Sequence, residues 1–173
     1  MKLQEMIELS VFDVEAGKEI GKVYDFILSS DWKIQALELE GKGLFSHTAK
    51  VVAWGDIIAY GEDAVMVRNQ QAVRKLEADN IQYTYSQGKN KLKDLPVLTK
   101  EGVRLGVISD VYFDQEMGNT IISLEISDGF VTDLMEGRKW LPCTSEMAIG
   151  ENAVMVPSMS EERLRNATHS VNG

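Results

Sequence analysis

The residue types that most often carry chemistry are thinly spread through this chain. Cys143 is the one cysteine, and His47 and His169 are the two histidines. Three such residues so far apart in sequence do not make up a typical zinc ligand set. No serine or cysteine sits in a nucleophile elbow, and Thr144-Ser145-Glu146 beside Cys143 reads as the turn before a last strand. Asp25 and Asp110 recur in matching contexts and invite an acid or metal reading. Each lies in an apolar strand, with Val23 and Ile27 flanking Asp25, and no second carboxylate stands at a sequence spacing that would share a metal or a proton. The reading favoured for both is a carboxylate accepting backbone hydrogen bonds at a bulge or turn. No catalytic, cofactor-binding or metal-binding residue is expected, and no cofactor.

The glycines lead to the same conclusion. Gly17 and Gly21, like Gly102 and Gly106, space as G-x-x-x-G, yet each pair runs into a strand and not into the helix N-terminus that a phosphate loop needs. Gly41-Lys42-Gly43 lacks the third glycine of a dinucleotide fingerprint and reads as a flexible loop. Asn166-Ala167-Thr168 matches a glycosylation triplet by chance.

What those glycines and aspartates share is a repeat. Gly17-Lys18-Glu19-Ile20-Gly21-Lys22-Val23-Tyr24-Asp25 aligns with Gly102-Val103-Arg104-Leu105-Gly106-Val107-Ile108-Ser109-Asp110, both reading G-x-x-[IL]-G-x-[VI]-x-D. Ile34-Gln35-Ala36-Leu37-Glu38-Leu39 aligns with Ile121-Ile122-Ser123-Leu124-Glu125-Ile126, two residues further apart. Gly61 to Val67 aligns with Gly150 to Val156 with six identities in seven. Three blocks in the same order with small drifts are the pattern of a duplication with loop variation.

Each copy shows short apolar runs between turn residues and no long helical period. Strands are expected near 7–14, 19–29, 33–40, 50–54 and 64–68, and again near 95–99, 104–114, 119–127, 138–143 and 153–157. Ile57-Ile58-Ala59 is expected to form one helical or 3₁₀ turn. Short antiparallel strands with glycine-marked turns suit a small barrel, because closure removes exposed edges. The fold class is therefore all-β: two tandem small barrels over 1–69 and 91–158, a polar linker at 70–90, and a C-terminal helix and tail at 159–173. Within the linker, Gln70 to Leu76 reads as a short helix and Tyr83 to Asn90 as extended and exposed. Ser158-Met159-Ser160-Glu161 is a capping-box pattern that starts a helix over about 159–166.

The G-x-x-[IL]-G-x-[VI]-x-D block, a following hairpin and the closing G-[ED]-x-A-V-x-V strand resemble the PRC-barrel domain. That domain occurs in the cytoplasmic part of the photosynthetic reaction-centre H subunit and in the C-terminal half of a ribosome maturation factor. The resemblance covers both copies and implies a small β-barrel that binds other proteins without catalysis of its own. This chain departs from both branches, with no membrane helix of the first kind and with a second copy where the maturation factor has a different barrel. It resembles stand-alone bacterial PRC-barrel proteins, tandem forms from spore-forming bacteria included.

Charge narrows the partners. The formal net charge is −9, with both halves acidic, so DNA, RNA and anionic membranes are disfavoured as direct ligands. Lys89, Lys91 and Lys93 form the densest basic spot and read as a solvated run. Apolar runs are too short for a membrane span, and Glu5 and Glu8 interrupt any secretory apolar stretch near the start. With a single cysteine, this suits a cytoplasmic protein. Large side chains that differ between the copies mark candidate protein-contact positions: Trp32, Phe45 and Trp54 in the first, Phe130, Met135 and Trp140 in the second. Core or copy-to-copy packing is the commoner fate of such side chains. Residues 41–48 and 128–138 are the loops where binding is expected. The function that fits is a non-enzymatic cytosolic adaptor docking an unidentified protein, with a homo-oligomer left open. The alternatives are a small-molecule carrier or enzyme using a cleft between the copies, and a ribosome-assembly factor.

Overall fold

A computed structural model describes residues 1–41 and 46–166. After a 3₁₀ turn at Leu3–Met6 come β1 (Ser10–Asp13), β2 (Lys18–Leu28), β3 (Ile34–Leu39), β4 (Thr48–Ala53), β5 (Ile57–Tyr60), β6 (Ala64–Val67), β7 (Val73–Glu77) and β8 (Tyr83–Thr84). The second copy runs through β9 (Pro96–Thr99), β10 (Arg104–Phe113), β11 (Ile121–Ser127), α1 (Phe130–Glu136), β12 (Lys139–Pro142), β13 (Ala148–Ile149), β14 (Val154–Val156), α2 (Ser160–Arg163) and β15 (Arg165–Asn166). The fold is all-β: two tandem small barrels, each a curled sheet, with a short helix near the C-terminal end.

The sheet orders are β5-β6-β1-β2-β3-β4-β7 and β13-β14-β9-β10-β11-β12-β15, so the two copies correspond strand for strand. Val11 pairs with Gly21 as Val97 pairs with Gly106, and Asp25 opposes Glu38 as Asp110 opposes Glu125. A bulge falls just before each aspartate, between Val23 and Asp25 and between Ile108 and Asp110. One pairing per copy is parallel, β1 with β6 and β9 with β14, where antiparallel neighbours are expected from the sequence. It brings the block Gly61–Val67, and its counterpart, beside the strand that opens each barrel.

Several local expectations change. Ile57-Ile58-Ala59 is strand β5, and the 3₁₀ turn lies just before it at Trp54–Asp56. Gln70–Ala72 is a 3₁₀ turn, after which Val73–Glu77 adds to the sheet as β7 against β4. Its pattern of intermediate and exposed residues suits an edge strand, and helix propensity over so short a stretch yields to the unpaired edge of β4. The C-terminal helix stops at Arg163 because Arg165–Asn166 pairs with β12, as β7 pairs with β4.

Tyr83 to Asn90 is exposed only in its second half, Gln87 to Asn90, while its first half is built into the fold. Tyr83–Thr84 pairs with Leu28 and Ile27 of β2, and the Tyr85 side chain is fully buried. The segment that leads into the first copy behaves likewise. Lys2 bridges to Tyr112, and Met1 and Phe113 exchange backbone hydrogen bonds at 2.9 and 3.0 Å. Each copy's long second strand is thus completed by the other copy's leading segment. The buried side chains Leu3, Phe26 and Trp32 of the first copy share one core with Tyr85, Phe113 and Leu124. Two units of this size bury too little apolar surface to be very stable alone, and a shared core offsets that weakness.

Candidate functional site

The two repeated aspartates lie at the crossing points of this exchange. Asp25, fully buried, accepts Ser86 N–H on Oδ1 at 2.9 Å and Gln87 N–H on Oδ2 at 2.8 Å, with the Ser86 hydroxyl at 3.1 Å. Asp110 accepts its neighbour Val111 N–H at 2.7 Å, Gln4 N–H at 3.2 Å and the Tyr85 hydroxyl at 2.9 Å, all on Oδ1. So Asp25 of the first copy holds the segment entering the second, and Asp110 of the second holds the segment entering the first. Burial raises both carboxyls above their ordinary range, against the lowering pull of those hydrogen bonds. Burial, together with the Asp110 carboxylate, pushes the Tyr85 phenol far upward, so it stays a hydrogen-bond donor. These groups are consumed in joining the copies.

A second pair of carboxylates, not singled out from sequence, stands across the ladder from the aspartates. Glu125 has a side chain 2% exposed and receives Lys2 Nζ at 2.6 Å and Arg138 Nη1 at 3.0 Å. The hydroxyls of Ser109 and Tyr112 donate to it at 2.9 and 3.1 Å. Burial alone would raise its carboxyl, but Lys2, Ser109 and Arg138 outweigh burial and hold it below the usual glutamate value. Glu38, 5% exposed, occupies the equivalent place in the first copy. The signal was present in the sequence, since Leu-Glu recurs at the same point of the second block, a charge between apolar residues in both copies. Strand separation, which sequence spacing does not show, brings these glutamates beside the aspartates. Tyr85 carried no such signal, because its counterpart beside Lys2 is Leu3.

The large side chains divide. Trp32 is buried, and its Nε1 donates to Met147 O at 3.0 Å, so it fastens the β2–β3 turn to the second copy. Trp54 is half-buried in a ring cluster with Tyr60 and Phe113, its centroid 5.4 Å from each. Trp140 is half-buried beside Tyr112. None of the three presents a free face like that of Met135, which is exposed on α1. Phe45 lies outside the described residues, as does His169. Phe130 opens α1.

Burial pushes the Cys143 thiol up to about 12, which removes it as a nucleophile near neutrality. His47 is exposed. Gly17 and Gly102 occupy the turns before β2 and β10, Gly17 N–H donating to Asp13 O at 2.8 Å and Gly102 N–H to Thr99 O at 2.9 Å. Among the described residues no helix is long and apolar enough to cross a membrane.

The apolar surface of α1 is the most exposed large-side-chain cluster in one element. Val131, Leu134 and Met135 are 67%, 76% and 81% exposed, and the i, i+3, i+4 spacing sets them on one face. The opposite face is anchored through Asp133, which accepts Asp128 N–H at 3.1 Å and lies 3.5 Å from Arg138 Nε. The helix is therefore held to the barrel by its polar side while its apolar side faces outward.

A family model described as PRC-barrel domain matches the chain twice, over residues 1–74 and 88–163. No curated protein matches the sequence.

Proposed function

The chain belongs to the PRC-barrel family, and from that premise we propose that it is a non-enzymatic adaptor of the cytosol that docks another protein through surface loops of its paired barrels. The observation that carries this reading is the outward apolar face of α1 within the 128–138 loop. A helix held by its polar side to a rigid scaffold, with Val131, Leu134 and Met135 directed away from it, is arranged for contact with a partner. The buried aspartates support the same reading in another way, because both carboxylates are engaged in joining the copies. The acidic surface favours a basic or neutral protein over nucleic acid.

Affinity capture from the source cell tests the proposal, comparing the parent chain with a Leu134→Asp, Met135→Asp double variant. The parent is expected to retain a protein that the variant loses, while the two melt at the same temperature because both side chains are exposed. Failure of the parent to capture any protein, or equal capture by the variant, overturns the reading.

A further inference from the structure

A strand at the end of a sheet leaves alternate N–H and C=O groups without a ladder partner, and charged side chains are the usual guard against a strand adding there. Most ends of the two sheets in this chain are guarded or short. β7 carries Arg74, Lys75 and Glu77, and β13 and β15 are two residues each. β5, at the other end of the first sheet, reads Ile57-Ile58-Ala59-Tyr60 and has no charge. Ile57 and Tyr60 pack against the core, whereas Ala59 is exposed and Ile58 is 55% exposed. Among the described residues, no backbone hydrogen bond outside the β5–β6 ladder engages residues 58–60.

The two ends of β5 carry opposite charge. Where it begins, a cavity of about 450 Å³ is lined by Asp56, Ile57 and Ile58 together with Arg68, Ala72 and Arg74. Arg74 Nη2 lies 3.9 Å from Asp56 Oδ2, and Arg68 is exposed. Two guanidinium groups against one carboxylate leave this end cationic. Beyond Tyr60, Glu62 and Asp63 are exposed. Burial, and then the Asp114 carboxylate, raise the Tyr60 phenol, so a third negative charge stands near that end.

An antiparallel strand that suits this edge is anionic where β5 begins, uncharged along it and cationic where β5 finishes. Turned end for end, β5 itself has that order. We propose that two molecules of this chain associate through β5, strand adding to strand across a two-fold axis. With the axis between Ile58 and Ala59, each Ile58 stands opposite Ala59 of the second molecule. Glu62 of each then stands opposite Gly55 of the other, at the cavity that holds Arg68 and Arg74. The inference is independent of the adaptor reading. A bulge between Ile57 and Ala59 confines the pairing to a short stretch. A strand of four residues buries much less than the roughly 800 Å² per partner of a stable dimer, so the association is transient, with Kd on the order of 100 μM. Repulsion between two net charges of −9 adds to that weakness.

Sedimentation equilibrium of the full chain, from about 10 μM to about 1 mM, tests the proposal. The parent is expected to show a monomer–dimer equilibrium, with amide exchange at residues 58–60 slowing as the dimer forms. Ile58→Lys puts a charge on the edge and is expected to weaken dimerisation by about tenfold or more. The Glu62→Lys, Asp63→Lys variant has two cationic ends, and the Arg68→Glu, Arg74→Glu variant has two anionic ones. Each double variant alone is expected to be monomeric, and an equimolar mixture of the two to associate. All these positions are exposed, so the variants should melt with the parent. If a double variant does not fold, Ile58→Lys decides the matter. A parent that stays monomeric at about 1 mM, undiminished dimerisation by Ile58→Lys, or a mixture of folded double variants that stays monomeric overturns the interface. Dimerisation lost in the Leu134→Asp, Met135→Asp variant overturns it as well, by moving the contact to α1.

Discussion

Gly21 and Gly106 occupy the same place in the repeated motif, yet the structure predicts unequal responses to alanine. At Gly106, where φ is +144°, an added Cβ would lie 2.4 Å from the Ser127 carbonyl oxygen and 2.7 Å from Ile126 Cγ2. Ordinary contacts would require the end of β11 to retreat by about an ångström, against its ladder with β10. Overpacking of this kind costs roughly 1–3 kcal/mol, and the unfavourable φ adds about 1 kcal/mol, for a total of roughly 2–4 kcal/mol. At Gly21, φ is +159°, on the border of ordinary extended backbone, and the new Cβ would meet only Leu39 Cδ1 at 3.4 Å. That side chain can give way, so Gly21→Ala is expected to cost about 1 kcal/mol or less. For a protein of this length each kcal/mol moves the melting temperature by about 2–4 °C. Thermal unfolding should therefore place Gly106→Ala roughly 4–16 °C below the parent and Gly21→Ala within about 4 °C of it. Equal melting of the two variants would refute the close-approach argument.

Asp25→Ala strips the acceptors from Ser86 and Gln87 N–H and should cost about 2–4 kcal/mol; hydrogen exchange should accelerate at those two amides before it does in the central strands, and unchanged protection there would count against the lock. Trp32→Phe keeps the ring volume in part but leaves Met147 O without its donor, and is expected to destabilise by about 1–2 kcal/mol in a denaturant titration. The carboxylates should set opposing pH dependences. Asp25 and Asp110 are raised in the folded state, so their contribution is greatest below the unfolded value near 3.8 and is lost as pH climbs through the folded values. Glu125 is lowered, so its contribution is present above about 4.5 and is lost as pH falls through its folded value. Glu125→Gln should consequently destabilise by about 2 kcal/mol at pH 7 and by less as the pH drops below 4, read from urea midpoints across pH; a pH-independent loss would refute that assignment.

Much of the architecture is local and so was written into the sequence. Strand positions follow from apolar runs bounded by glycine turns, and duplication follows from three ordered blocks, because each needs only the chemistry of neighbouring residues. The motif glycines and aspartates also announce themselves by recurring. What the blocks do not carry is the identity of their partners. Asp25 satisfies the amides of Ser86 and Gln87 some sixty positions away, and Asp110 satisfies Gln4 across more than a hundred. Those distances close only when the two copies exchange their leading segments. Tyr85 illustrates the limit: its flanks are polar, so it reads as exposed, while the shared core takes it in completely. The same holds for Val73–Glu77, whose residues favour no strand strongly and become one because β4 offers an unpaired edge. Only the register shows that Thr84 and Ala49 stand in the first copy where Lys2 and Arg138 stand in the second. Side-chain types and their periodicity determined the elements; backbone pairing between distant segments decided which charges meet, which aromatics are covered, and which apolar face stays exposed.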